Sequence, residues 1–406
     1  MIKKLAVILL FAGFMVMGGR LLAQEDDELL EGRHYFVNLS LYYPVSINRS
    51  PDDSANLNLS LVYGKVGRVE GLDLSVVASV VTRELIGLQV CGLMGVVGEF
   101  GTGAQISGLM NVCGEDFKGA QISGLMNIAG EGATGLQASG LMNVAGRNGA
   151  LFQSAGLANI VGEEFKGVQS SGLFNVAGEN GRGLQVSGLF NVTGEDFKGL
   201  QAAGLFNVTG GMLNGLQAAP FNVAAESVGV QVGLANVTGF CRGVQIGLVN
   251  YTHDENTGVP IGPVNLAANG HVSYMLWAGN TTAAAAGVRF TVGRVYSIVS
   301  LGAFNLDDGI AGSLTYGCHY GIWIPAGRLN LNADVGYRFR DNESVFRFRK
   351  IDPDQHMLEA RLLLELPIRE AVSLVFGGGA VSVIDCGLPF DSGRVRPLII
   401  GGIEFY

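Results

Sequence analysis

The sequence predicts an all-β protein: a parallel β-solenoid of about 16-residue repeats set within an antiparallel β-barrel of the outer-membrane type. Three observations lead there. Between about Gly87 and Tyr251 one unit recurs eleven times, with glutamines at 89, 105, 121, 137, 153, 169, 185, 201 and 217, sixteen apart, then at 231 and 245, fourteen apart. Long segments of alternating apolar and polar residues follow to the C-terminus. The composition holds 62 glycines among 406 residues, with 48 % hydrophobic and only 15 % charged residues, and carries few helix signals. A short fixed period marks a repeat architecture in which each unit buries its apolar face against its neighbours. Period-two alternation marks strands with two unlike faces. Low charge with high hydrophobicity excludes disorder, and no every-third-glycine pattern suggests collagen.

The chain opens on an export signal. Lys3 and Lys4 precede the apolar run Leu5 to Gly18, and Leu21-Leu22-Ala23 offers a small residue before Gln24. Residues 1–23 therefore read as a secretory signal peptide, its apolar core too short for a membrane span. No cysteine follows to accept a lipid. Removal takes away Lys3, Lys4 and Arg20 and moves the formal net charge from −9 to −12. So acidic a chain repels nucleic acid and anionic headgroups, and nucleic acid is not an expected partner. Residues 24–32 form an acidic linker. In residues 33–66, Tyr35, Val37, Leu39 and Leu41 alternate with Phe36, Asn38 and Ser40, and Leu57, Leu59 and Leu61 alternate with Asn58 and Ser60. Both runs are amphipathic strands, expected to join the barrel, with turn-forming residues 48–53 between them.

Residues 67–268 form the array. Gly71-Leu72-Asp73 begins a degenerate copy, with Asp73 sixteen residues before Gln89. Gly183 to Lys198 is a representative unit, and it admits two foldings. As a straight strand it would belong to a single large up-and-down barrel. As a coil it would bend at Ser-Gly-Leu and again at Gly-Glu-Asp-Phe-Lys-Gly. Identical hairpins at both ends of straight strands accumulate no stagger, whereas a closed barrel requires shear. In the last three clear copies Gln and Asn stand five apart rather than six; a deletion in mid-strand would flip every following side chain, while at a corner it costs little. Pro220 and Pro263 occupy the Leu189 column, and proline is poorly tolerated inside a central strand. The coil is favoured. Roughly twelve coils at about 4.8 Å would stack as a rod about 55–60 Å long. Gln and Asn would form amide ladders, and the Leu, Phe/Met and Val columns are expected to fill the interior.

Residues 269–406 read as barrel strands. Leu329, Leu331, Ala333, Val335, Tyr337 and Phe339 face one way; Asn330, Asn332, Asp334, Gly336, Arg338 and Arg340 face the other. Leu358, Ala360, Leu362 and Leu364 likewise alternate with Glu359, Arg361, Leu363 and Glu365. About eight such strands are separated by turn signals such as Asp307-Asp308-Gly309 and Pro325-Ala326-Gly327, the pattern of outer-membrane barrels. One departure stands out: Glu404 shares a face with Tyr406.

Sites of chemistry are few. The candidates for cation binding are the corner acids Glu115, Asp116, Glu163, Glu164, Glu195 and Asp196. The Glu residues at 99, 115, 131, 163, 179 and 195 would form one column, interrupted by Arg147, and like charges about 4.8 Å apart repel by about 1 kcal/mol in water. Neutralising basic residues or a cation would relieve this. These loops lack the Asp-rich spacing of calcium-binding repeats, so solvated turns are the default. The Gln and Asn columns also resemble a sugar- or peptide-binding surface, but ladders are the favoured reading. His34, His253, His271, His319 and His356 are dispersed, and no HExxH, GxSxG or phosphate-loop motif is present. No catalytic residue, no cofactor and no enzyme activity are expected. Cys91, Cys113, Cys241, Cys318 and Cys386 are odd in number and never paired as CxxC, so they read as small buried hydrophobes.

The Gly-Leu-Gln-x-x-Gly-Leu-x-Asn units, from about Gly71 to Asn265, resemble the repeats of the bacterial surface repeat-containing proteins, with Gly243 to Asn250 nearest the family pattern. That resemblance implies an exported protein at the outer membrane and attaches no activity or functional residue. The expectation is a non-enzymatic outer-membrane or cell-surface protein with a structural or adhesive role. Its expected partners are outer-membrane lipid and a surface protein or glycan; a pore or transport protein is the alternative.

Overall fold

The structure is a computed structural model and describes residues 32–305, 311–341, 355–384 and 395–406. The signal peptide 1–23, the linker up to residue 31, the turn at Asp307-Asp308-Gly309 and Cys386 lie outside the described residues. Every regular element among those described is a strand. They form a parallel solenoid of about 15 turns and a closed eight-stranded antiparallel barrel. Two compact units divide the chain, Met1–Ala219 and Pro220–Tyr406.

The first unit is solenoid. Each coil holds a longer and a shorter strand, such as Phe117–Ser123 and Met126–Ala129. They pair in parallel with Ala133–Ser139 and Met142–Ala145 of the next coil, placing Gln121 opposite Gln137 and Asn127 opposite Asn143. Parallel pairing rules out the single up-and-down barrel. The first bend falls at Gly124-Leu125, within Ser-Gly-Leu as the sequence predicts. A Cβ on Gly124 would lie 2.0 Å from the Gly108 carbonyl oxygen of the preceding coil, which accounts for the glycine. The second bend is tighter than Gly-Glu-Asp-Phe-Lys-Gly implies, because Phe117 and Lys118 already belong to the long strand. In the corresponding strand Gly181–Ser187, Gly183 adopts φ +127°, a backbone that side chains disfavour, and its own Cβ would meet Gly167 O at 2.0 Å.

The interior differs from expectation. Every ladder glutamine from Gln89 to Gln217 and every asparagine from Asn111 to Asn207 is buried, whereas the corner leucines from Leu93 to Leu205 are exposed. The leucine column therefore does not fill the core. Phe117 and Phe165, which open their long strands, pack there with Val97, Cys113 and Ala129, and Phe197 is buried likewise. The Met and Phe column is only partly buried, with Phe174, Phe190 and Phe206 stacked at 5.0 Å between centroids. The Val/Ile column is buried from Val80 to Val176, and as far as Ile160 it clusters separately with the methionines. Sequence hydrophobicity misassigns the interior because an amide that meets its own kind one coil away no longer carries a desolvation penalty.

The two ladders have opposite polarity. Gln217 Nε2 donates to Gln201 Oε1, and each glutamine donates in turn toward the N-terminus at 2.7–2.9 Å. Asn111 Nδ2 donates to Asn127 Oδ1, and the asparagines continue toward the C-terminus as far as Asn207 at 2.9–3.0 Å. The amide dipoles of the two columns therefore oppose each other, while within a column each bond polarises the next.

A correction concerns residues 33–66. His34–Tyr42 pairs in parallel with Ser54–Ser75, which pairs in parallel with Ala78–Cys91. These strands are the first coils of the solenoid, and the barrel closes without them; hence the solenoid precedes the barrel and is not inserted in it. Their amides decide the matter. Asn38 Nδ2 donates to Asn58 Oδ1 at 2.8 Å, and Asn58 Nδ2 donates to Asp73 Oδ1 at 2.7 Å. The twenty-residue offset between Asn38 and Asn58 masks the repeat in the sequence.

Asp73 is where the glutamine column reverses its donor direction, since Asn58 donates to one oxygen and Gln89 Nε2 donates to the other at 2.8 Å. Burial pushes the Asp73 carboxyl above the usual carboxylate range, against hydrogen bonds from Gln89, Ser79 and Asn58 that favour the anion. The folded state thus holds this proton more tightly than the unfolded chain does. The group's contribution to stability falls as pH rises from the ordinary carboxylate value through its folded one. Asp73→Asn is expected to remove that pH dependence and to set an amide N–H against a facing donor, at about 1–3 kcal/mol. Urea unfolding between mildly acidic and neutral pH checks both effects; an unchanged pH profile would refute the assignment.

In the second unit the shortened coils run first. Phe221–Ser227, Ala235–Cys241 and Val249–Thr252 pair in parallel, with Asn222, Asn236 and Asn250 aligned. The lost residue falls at the corners Gly233-Leu234 and Gly247-Leu248, and Pro263 lies at the corner between Val259–Ile261 and Val264–Ala267. Eight strands then follow: His271–Gly279, Ala284–Val292, Val295–Asn305, Ala311–Ala326, Leu329–Asp341, Gln355–Arg369, Val372–Ile384 and Val395–Phe405. Each is antiparallel to the next, and pairing of Tyr274 with Phe405 closes the ring. The last coil seats directly on this ring. Asn265 Nδ2 donates to Ser297 Oγ at 3.1 Å, Ser297 Oγ donates to Pro263 O at 2.9 Å, and Tyr320 Oη donates to Pro260 O at 2.9 Å.

Candidate functional site

The barrel wall is inside out relative to a water-soluble protein. On the strand Leu329–Asp341, Val335 is 64 % exposed while its neighbour Asp334 is 5 % exposed. On Gln355–Arg369, Leu362 is 62 % exposed while Glu359 and Arg361 are 2 % and 3 % exposed. Tyr274, Leu276, Leu301, Tyr316, Ile399 and Phe405 continue the outward apolar surface. The alternation in the sequence accounts for both faces, because successive side chains point to opposite sides.

The lumen is filled, and its charges are paired. Arg289 Nη1 lies 3.0 Å from Glu404 and 3.3 Å from Glu365, with its guanidinium 4.0 Å from the Tyr296 ring centroid. Arg361 Nε donates to Asp334 Oδ1 at 2.7 Å, and Tyr296 Oη donates to Asp334 Oδ2 at 2.8 Å. Arg338 and His319 both meet Glu359, at 2.8 and 3.0 Å. Tyr406 Oη donates to Glu365 at 2.6 Å. Beside these pairs Met275, Trp277, Ile298, Leu363, Val375, Leu398 and Ile400 pack as an apolar layer. An eight-stranded barrel has an interior just wide enough for side chains to fill.

Glu404, which looked out of phase in the sequence, is fully buried as an acceptor for Arg289 and Ser273. The last strand keeps its phase: Ile403 and Phe405 face outward, and Tyr406 reaches inward to Glu365. Gly336 is needed beneath His319, since a Cβ there would lie 2.1 Å from the imidazole Cδ2. Gly336→Ala is expected to destabilise the barrel by about 1–3 kcal/mol through overpacking. Thermal unfolding of the purified chain measures it, and an unshifted midpoint would contradict this packing.

The cation candidates stay apart. Asp116 Oδ1 accepts the Gly132 N–H at 2.8 Å and Asp196 Oδ1 accepts the Met212 N–H at 2.7 Å, so both aspartates staple one coil to the next. Glu164 pairs with Lys166 at 3.3 Å. Glu115, Glu163 and Glu195 stand in the predicted column, joined to neighbouring coils by their backbones, and Arg147 meets Glu131 at 2.7 Å. Among the described residues no group of three or more His, Cys, Asp or Glu side chains is placed to hold a metal ion. Cys91, Cys113 and Cys241 lie in the core, with burial pushing the Cys91 and Cys113 thiols up to about 12; Cys318 points outward.

Comparison of the chain with family models, with curated proteins and with solved structures found no match.

Proposed function

We propose that this chain is a non-enzymatic outer-membrane protein in which the barrel is a lipid anchor and the solenoid a structural or adhesive surface. The observation that carries the reading is the inverted polarity of the barrel, apolar outside and ion-paired within. The N-terminal signal, a basic pair followed by an apolar run, and the repeats, which resemble those of the surface repeat-containing proteins, support export. The filled lumen and the coil seated on the ring favour an anchor over the alternative of a pore or transport protein. Another protein or a glycan at the cell surface is the kind of partner the repetitive solenoid would meet.

Two measurements test this. The expressed chain should sediment with membranes and leave them only in detergent; recovery in the soluble fraction would overturn the anchor. In planar bilayers it should add no channel steps, and defined single-channel conductance would replace the anchor with the pore.

A further inference from the structure

From the coil of Gln89 to that of Gln201 the solenoid segregates its charges. From the residue before each ladder glutamine to the valine or isoleucine after each asparagine, residues 88–96, 104–112, 120–128 and so on to 200–208 hold no Asp, Glu, Lys, Arg or His. All Asp, Glu, Lys and Arg side chains of these coils fall in the remaining segment, around the Gly-Glu-Asp corner. At the centre of the uncharged segment is the Ser-Gly-Leu corner, where one leucine per coil from Leu93 to Leu205 stands 37–47 % exposed. Eight leucines at about 4.8 Å make a straight ridge roughly 35 Å long. Ile106, Ile122 and Val186 flank it on the long strands and are likewise exposed.

We propose that this leucine ridge rests in the acyl region of a lipid bilayer, with the solenoid lying along the membrane and its charged corner in water. Three features select lipid. The ridge backbone is hydrogen-bonded without water: Leu125 and Met126 N–H both donate to Leu109 O, at 2.9 and 3.0 Å, and the same pair recurs from coil to coil. Apolar phases tolerate backbone only in that condition. The ridge is a convex corner, which a fluid phase accommodates without a complementary groove. It also offers almost no side-chain donors or acceptors, whereas protein interfaces carry about one hydrogen bond per 100–200 Å². The surface resembles in polarity an interfacial amphipathic helix, with one apolar edge and one charged edge.

The proposal rests on the membrane reading above in that a bilayer must be within reach, and the experiment separates the two. Nitroxide labels are placed at Leu141→Cys and Leu157→Cys on the ridge, Glu131→Cys on the charged corner and Leu362→Cys on the barrel wall. Each is made in the full chain carrying Cys318→Ser and Cys386→Ser, reconstituted in zwitterionic phosphatidylethanolamine–phosphatidylcholine vesicles. Collision with oxygen and with a water-soluble nickel chelate is then compared. Ridge and barrel labels should show several-fold lower nickel access than position 131 and higher oxygen access. A lipid-like label at 362 with nickel access at 141 and 157 equal to that at 131 would overturn the ridge proposal alone. Ridge labels shielded from both reagents would mean that protein, a second copy included, covers the ridge, and would also overturn it. Nickel access at 362 itself would sink the membrane reading and this inference together.

Discussion

Replacing Gln153 by leucine is expected to destabilise the solenoid by about 2–6 kcal/mol, although a larger apolar side chain then enters a buried position. Gln153 Nε2 donates to Gln137 Oε1 at 2.8 Å, and Gln153 Oε1 accepts from Gln169 Nε2 at 2.7 Å. Leucine leaves an orphaned acceptor below and an orphaned donor above, each costing about 1–3 kcal/mol when buried. Because neighbouring coils support each other, the break should reduce cooperativity as well as the midpoint. Denaturant unfolding followed by far-ultraviolet circular dichroism measures both. A shift below about 0.5 kcal/mol, the range of an ordinary surface substitution, would show that the ladder contributes nothing.

The second large effect is expected in the lumen. Arg289→Leu leaves Glu365 and Glu404, both buried, without their shared cation. Removing one partner of a buried ion pair costs about 3–5 kcal/mol, because the remaining charge is uncompensated. Two carboxylates held close together make the loss larger than for a simple pair. Arg289 also contributes the cation over the Tyr296 ring and a hydrogen bond to Asn332 at 3.1 Å, so several neighbours lose contacts at once. Unfolding of the micelle-embedded chain should show the loss, and Glu404→Gln, which keeps a hydrogen-bond acceptor and removes one negative charge, should cost less. Equal stability of Arg289→Leu and the parent chain would mean that water reaches these carboxylates.

Much of this architecture was legible in the chain. The sixteen-residue spacing predicted the coil length, and the missing residue before Asn222, Asn236 and Asn250, with Pro263, located the corner where the structure bends. The polar face read along Arg338, Glu359, Arg361 and Glu365 is the face that fills the barrel. Other features were hidden for physical reasons. Asn38 and Asn58 continue the glutamine column through Asp73, but alternation alone does not distinguish a coil strand from a barrel strand. Leucine looks like core in any hydropathy reading, yet Leu93 to Leu205 are exposed because the glutamine four residues earlier occupies the inside of the coil. Glu404 looked like a flaw until Arg289, 115 residues earlier in the chain, was brought against it.

The sequence by itself determined the period, the all-β class and the two-faced barrel strands, since all three follow from spacing along one chain. Tertiary structure decided which face is inside. An amide or a carboxylate belongs in a core only when its partner arrives from another coil or strand, and that partner is sixteen residues away for Gln153 and 115 for Glu404.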